Sequence, residues 1–241
     1  VPMFGDAVGE TVADHLRERG VDLHLGAEVE RLDGDDGRVT GLRCTNGEML
    51  DTGLAIVGVG VAPNVDIVRD TPVELGDSGA IAVDEYGETS VDGVYAAGDC
   101  AEATNVVTGE PTYAPLALTA NRHGRAVGQT VAGSPTKGGD VAETAAGKAF
   151  EVEAARTGML DHERAREAGF DPVTRTIEAK SRAGYYPEGG TVQVTLTADR
   201  ESGRVLGGSL VSEYGEGAVH RSHALVGAVT EGITVEELSN Y

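Results

Sequence analysis

Apolar and polar positions follow helical spacing at the start of this chain, strand spacing after it, and a mixture further on. Val8, Val12 and Leu16 fall on one helical face, with Asp6 placed to cap and Gly20 to stop, so the pattern predicts a helix over 6–20. VDLHL at 21–25 reads as a short strand. AEVERLDG, RVTGLRCT and EMLDTG follow, separated by a DDG and an NG turn, and predict an antiparallel meander. LAIVGVGV at 54–61 is apolar throughout, the pattern of a strand buried on both faces, and Pro63 ends it.

Further strands are predicted near GAIAVD and GVYAAGD, then a loop containing TGEPTY. A helix is predicted from about Pro115 to Val131, with Pro115 in its first turn and Gly133 at its exit. Gly124 and Gly128 lie four apart on that helix, which points to close approach by another backbone or a ligand. Residues 134–147 are small and polar and read as a linker. Beyond them the pattern predicts a strand at KAFEVEAARTG and a short helix capped by Asp161. Strands at VTRTIEAKS, TVQVTLTAD and RVLGGSLVS come next, the last two joined through ESG, then a helix across 216–231. T-V-E-E at 234–237 is a capping box that opens one more helix. This order of elements is that of a separate α+β domain.

Composition narrows the function classes. The 241 residues carry a formal net charge of −21, which disfavours nucleic acid as a partner. Lysine occurs only at Lys137, Lys148 and Lys180, and the acids are spread along the chain. Such a surface either serves solubility alone or is adapted to high salt, where its self-repulsion is screened. No apolar run is long enough to span a membrane, and VPMFGD lacks the basic start and apolar core of a secretory signal. Cys44 and Cys100 have no CxxC partner, so they read as buried structural thiols of a reducing cytoplasm. The six histidines do not cluster with carboxylates or thiols, and no metal is expected.

Two stretches could carry chemistry. GVYAAGDC ends a predicted strand in small residues and a carboxylate. In open α/β sheets ligands bind beyond the carboxyl ends of strands, so Asp99 could accept hydrogen bonds from ribose or ribitol hydroxyls while Ala96, Ala97 and Gly98 admit the ligand. The alternative is that Asp99 only caps a turn. The helix beginning near Leu116 could turn its free amides towards developing negative charge, or be a plain amphipathic helix. VGVG at 57–60 lacks the third glycine and the following helix of a dinucleotide fingerprint.

Taken together, "TSVDGVYAAGDCAE", "PLALTANRHGRAVGQTVAG", "ARTG…AREAGF", "YYP" and "TVEEL" resemble the pyridine nucleotide-disulfide oxidoreductases, and within them the coenzyme A-disulfide reductase and NADH oxidase branch. The resemblance implies an α/β fold of partial FAD- and NAD(P)-binding domains followed by an α+β dimerisation domain with an antiparallel sheet. Residues 1–66 would be the C-terminal part of the NAD(P)-binding domain, 67–140 that of the FAD-binding domain, and 148–241 a dimerisation domain truncated at its C-terminus. It implies that residues 89–99, with Thr89 and Gly98, form an FAD-binding motif in which Asp99 serves the ribitol, that Leu116, Ala117 and Leu118 lie beside the isoalloxazine, and that Gly60 lies close to NAD(P)H. Asn121 would contact coenzyme A, and Tyr185 or Tyr186 would reach the redox centre of a partner subunit in a homodimer.

The family's two G-x-G-x-x-G motifs and its redox cysteine are not within these residues, and neither Cys44 nor Cys100 matches the redox position. The family also continues beyond TVEEL into another tyrosine-bearing segment. The resemblance therefore implies a C-terminal portion of a flavoenzyme passing electrons from NADH or NADPH to coenzyme A disulfide, polysulfide, persulfide or oxygen. By itself the chain is expected neither to retain FAD nor to turn over. A non-catalytic self-associating module is the competing expectation, and a free-standing nucleotide-binding protein a weaker one. Raising KCl from millimolar to molar concentration is expected to raise the melting temperature of this chain, by calorimetry; an unchanged or lowered melting temperature would leave only a solubilising surface.

Overall fold

The computed structural model describes residues 2–240. It divides into two units, one formed by Leu16–Ala62 and the other by the residues before and after that stretch.

In the smaller unit, helix α1 (Asp6–Glu18) runs in from the larger one and three strands form the expected meander. These are β1 (Val29–Asp35), β2 (Arg38–Cys44) and β3 (Met49–Asp51), all antiparallel. The register shifts at Asp33/Gly34, where an added Cβ on Gly34 would lie 2.7 Å from the Arg38 carbonyl oxygen. Two expectations fail here. The 21–25 stretch is not a strand, because the Val21 N–H goes back to the Leu16 carbonyl and His24 sits between the carboxylates of Asp22 and Glu48. The 54–61 run is irregular and exposed, with Ile56 90% and Val59 91% accessible. A strand buried on both faces needs a neighbour on each edge, and none of the described strands lies beside it.

Asp6 is the first helical residue of α1 and not its cap; a carboxylate there still complements the helix dipole. Between 79 and 99 the expected strands shrink to single bridges, Ile81 with Leu75 and Ala101, and Glu88 with Tyr95. Too few neighbours are present for a ladder to propagate. Strands β4 (Ala103–Thr104) and β5 (Pro111–Thr112) form a small hairpin, and helix α2 covers Ala117–Val131. Pro115 precedes the helix N-cap, Leu116, and is not in the first turn; Gly133 leaves the helix at φ +89°.

The rest is a five-stranded antiparallel sheet in the order β6–β7–β10–β9–β8, built from β6 (Ala145–Ala149), β7 (Val152–Gly158), β8 (Pro172–Lys180), β9 (Thr191–Asp199) and β10 (Val205–Glu213). KAFEVEAARTG thus spans a turn, at Phe150, between two strands. Helix α3 (His162–Glu167) is capped by the Asp161 carboxylate, and α5 (Val235–Leu238) by the Thr234–Glu237 box, as expected. Helix α4 (Ala218–Glu231) packs on β10 and β7. The central strand β10 is buried on both sides. Gly208 faces α4, where an added Cβ would come within 2.7 Å of Leu225, and Gly207 faces Met159 on the other side at 2.5 Å.

The 134–147 stretch is only partly a linker. Val141 is buried, and Glu143, at φ +48°, carries a carboxylate that is 13% exposed. It accepts hydrogen bonds from Asn105 Nδ2 (2.7 Å) and Thr112 Oγ1 (3.0 Å) on one side and from Arg164 (2.9 and 3.2 Å) on the other, with Arg156 3.7 Å away. Burial would raise this carboxyl's pKa, but Arg164, Asn105 and Thr112 together outweigh it and hold it below its ordinary value. The Glu143→Gln variant is expected to lose about 2–3 kcal/mol in urea titrations, since it leaves the Arg156 and Arg164 charges uncompensated. With a depressed folded pKa, the Glu143 contribution is present above its ordinary value of 4.5 and lost as pH falls through the folded value, so the variant should show a shallower acid limb.

Candidate functional site

Two glycines set the geometry of the GVYAAGD stretch. Gly87 lies so close to the middle of α2 that an added Cβ would meet Val127 Cγ2 at 2.3 Å. The chain turns through 89–94, with the Thr89 N–H on the Val94 carbonyl (2.8 Å) and the Val91 N–H on the Thr89 hydroxyl (3.2 Å). It then returns past Gly87, whose carbonyl accepts from the Ala96 N–H at 2.9 Å. Gly98, at φ +91°, reaches the first turn of the same helix, where its added Cβ would sit 3.8 Å from Ala120 Cβ. The hairpin therefore runs along α2 from its middle to its start, and Asp99 emerges beside the helix N-terminus.

That terminus is bare. Leu116 is extended and offers no side-chain cap, so the Ala117, Leu118 and Thr119 amides have no intrahelical acceptor. Leu118 and Ala117 are exposed, as is Asp99, whose carboxylate makes no hydrogen bond among the described residues. The Asp99 backbone is held by Tyr113, whose hydroxyl donates to its carbonyl at 3.0 Å. Burial pushes the Tyr113 pKa up, with smaller contributions from Asp99 and Cys100, so the phenol stays a donor at neutral pH.

An exposed carboxylate one residue from Gly98, itself at the first turn of a helix with three free amides, is a set of groups that could meet the ribitol-to-ring stretch of a flavin: hydroxyls for Asp99, partial negative charge for the amides. Of the residues implied by the resemblance, Gly98 lies at the first turn of α2, which Leu116, Ala117 and Leu118 open, and Asp99 follows it in the chain. Thr89 shapes the turn leading to it. Asn121, one turn into α2, donates to the Ala117 carbonyl (2.9 Å) and lines an 800 Å³ groove between α2 and α4 with Arg125 and His223. Gly60, at φ +104° and exposed, belongs to the smaller unit.

Tyr185 and Tyr186 lie on the loop from β8 to β9, their ring centroids 5.2 Å apart and Tyr185 85% exposed. Glu216 closes the base of this loop, accepting from the Ser181 hydroxyl and from the Gly190 N–H (3.0 Å). Sequence reasoning passed over Glu216, Glu143 and Tyr113. Glu216 had a signal, a carboxylate between two glycines that both adopt positive φ. Glu143 was hidden in a stretch of linker composition, and nothing local marks Tyr113. Gly98→Val is expected to destabilise the chain by about 1–3 kcal/mol, because it forces a β-branched residue to positive φ, whereas Asp99→Ala at the exposed neighbour should stay within about 0.5 kcal/mol by thermal unfolding.

A family model described as pyridine nucleotide-disulphide oxidoreductase matches residues 1–124, and that family's dimerisation domain matches 144–241. The NAD(P)H sulfur oxidoreductase (CoA-dependent) of Pyrococcus furiosus is 31% identical across 98% of this chain and 52% of its own length. The NADH oxidase of Methanocaldococcus jannaschii is 30% identical across 100% of this chain and 52% of its own length. Among solved structures, a NAD-dependent persulfide reductase from A. fulgidus superposes with a TM-score of 0.91 at 32% identity, covering 98% of this chain and 43% of that one. The chain spans about half the length of the curated relatives it matches. It belongs to the pyridine nucleotide-disulphide oxidoreductase family.

Proposed function

We propose that this chain serves an FAD-dependent NAD(P)H oxidoreductase whose electrons end on coenzyme A disulfide, a related sulfur substrate or oxygen. Residues 1–66 and 67–140 would be the C-terminal parts of its NAD(P)- and FAD-binding domains, and 148–241 its dimerisation domain. The observation supporting this reading is the approach of Gly98, one residue before the exposed Asp99, to Ala120 at the uncapped start of α2.

Bound flavin would supply hydride acceptance from NAD(P)H and electron transfer onward. Asp99 would accept hydrogen bonds from the ribitol hydroxyls and so fix the ring's position along α2. The amides of Ala117, Leu118 and Thr119, with the helix dipole, would stabilise negative charge on the pyrimidine edge of the reduced ring. Gly98 would let that edge approach the backbone. Asn121, in the groove with Arg125, would meet an anionic coenzyme A group, and Gly60 would lie by the nicotinamide nucleotide. Tyr185 and Tyr186, projecting from a loop closed by Glu216, suit a reach into the redox centre of a second copy.

The sulfur oxidoreductase and NADH oxidase relatives support the sulfur and oxygen alternatives. Two unpaired thiols fit a reducing cytoplasm, and the charge of −21 fits adaptation to salt and no nucleic-acid partner. No helix among the described residues is long and apolar enough to cross a membrane. The dimerisation-domain match favours a second reading, a module that self-associates without chemistry. In the full-length enzyme, Asp99→Ala should weaken flavin binding about 10–100-fold, read by fluorescence, and lower NADH-dependent turnover on coenzyme A disulfide and oxygen in parallel. The 241-residue chain alone should purify colourless, and as a dimer by light scattering; a yellow preparation bleached by NADH would overturn the expected loss of flavin, and unchanged flavin affinity in Asp99→Ala would overturn the site.

A further inference from the structure

The sheet face turned away from α4 carries a lattice of hydroxyls that the flavin reading does not use. Cross-strand pairing sets Ser209 opposite Thr195, and Thr195 opposite Thr176, so the three share one face. Thr197 and Thr174 form the next row. Thr176 and Thr195 hydroxyls are 2.9 Å apart, those of Thr174 and Thr197 2.8 Å, and His162 Nε2 is 2.7 Å from Thr174 Oγ1. These groups floor a cavity of about 650 Å³ whose wall includes the turn at Gly5–Ala7.

Threonine pairs across neighbouring strands are ordinary sheet stabilisers. Ser209 is not accounted for in that way. It lies on the central strand, 1% exposed, and its hydroxyl has no partner among the described residues although it lines the cavity. A buried hydroxyl without a partner costs stability, and alanine would fill the position at no such cost.

We propose that this cavity binds a small uncharged polyhydroxy compound, of the sugar or polyol class. The Thr176–Thr195 pair spends one O–H internally and keeps the other, while the Thr174–Thr197 pair also meets His162 Nε2, so the floor offers donors and acceptors interleaved, as vicinal hydroxyls do. Charge narrows the class further. No lysine or arginine lines the cavity, while Asp6 and Asp161 do, which disfavours anions. Asp161 is already engaged by the Glu163 and Arg164 amides (2.8 and 3.2 Å), and a volume of 650 Å³ far exceeds the coordination shell of a cation.

The test titrates the full chain with glucose and with glycerol, by calorimetry and by amide chemical shifts, against phosphate and KCl as controls. Saturable millimolar binding of a polyol is expected, with shifts centred on Thr174, Thr195 and Ser209. Ser209→Ala should weaken it about tenfold, and so should Thr176→Val at the exposed rim, which keeps the inquiry decisive if the buried variant misfolds. A response to polyol that rises linearly without saturating and is unchanged in either variant would be general solvent exclusion and would overturn the proposal. Saturation of the same residues by phosphate or potassium would overturn it equally. Neither outcome bears on Asp99 or the flavin, so failure here is distinguishable from failure of the proposed function.

Discussion

A single, largely enclosed carboxylate joins the segment that carries Asp99 to the sheet that follows it. Glu143 takes hydrogen bonds from Asn105 and Thr112, beside the β4–β5 hairpin, and from Arg164 on α3. Asn105 in turn accepts from the Val107 and Thr108 amides through its Oδ1, so it is fixed from both ends. Charge-assisted bonds of this kind are strong only when every partner is in place, which makes the whole cluster all-or-none. The Tyr113 hydroxyl that holds Asp99 sits one residue from Thr112. The position of the candidate site thus rests on the same cluster that anchors the sheet.

Within the site, the positioning is done by missing atoms. At Gly87 a methyl group would collide with Val127, and at Gly98 it would touch Ala120. Both residues also adopt positive φ, which other residues enter only at a cost. The hairpin can lie on α2 because Gly87 carries no side chain, while Gly98 is needed for its positive φ. It brings Gly98, one residue before Asp99, to the end of the helix where backbone amides are unspent.

The sequence made the local features readable and hid those that depend on distant partners. The Asp161 cap, the Thr234–Glu237 box, the meander turns and the exit of α2 at Gly133 are all written within a few residues, and each is where the pattern puts it. Asp99 and the α2 start were legible as chemistry, but their proximity was carried by the resemblance and then by Gly98. The 54–61 and 79–99 stretches have strand composition without enough neighbours to form ladders, and composition cannot report a neighbour. Glu143 and Glu216 escaped for the related reason that their meaning lies in residues up to 38 and 35 positions away.

The exposed apolar run has a colloidal consequence. Leu54, Ile56, Val57, Val59 and Val61 form an uncharged, β-prone ribbon open to solvent, the kind of edge along which separate molecules zip together. What keeps such ribbons apart in dilute buffer is the long-range repulsion of strongly anionic particles. Concentrated salt collapses that repulsion to a few ångströms while, with kosmotropic anions, strengthening attraction between oily surfaces. Conditions that relieve the crowding of carboxylates within one molecule are therefore also those under which this ribbon drives precipitation, and the two effects pull the working ionic strength in opposite directions.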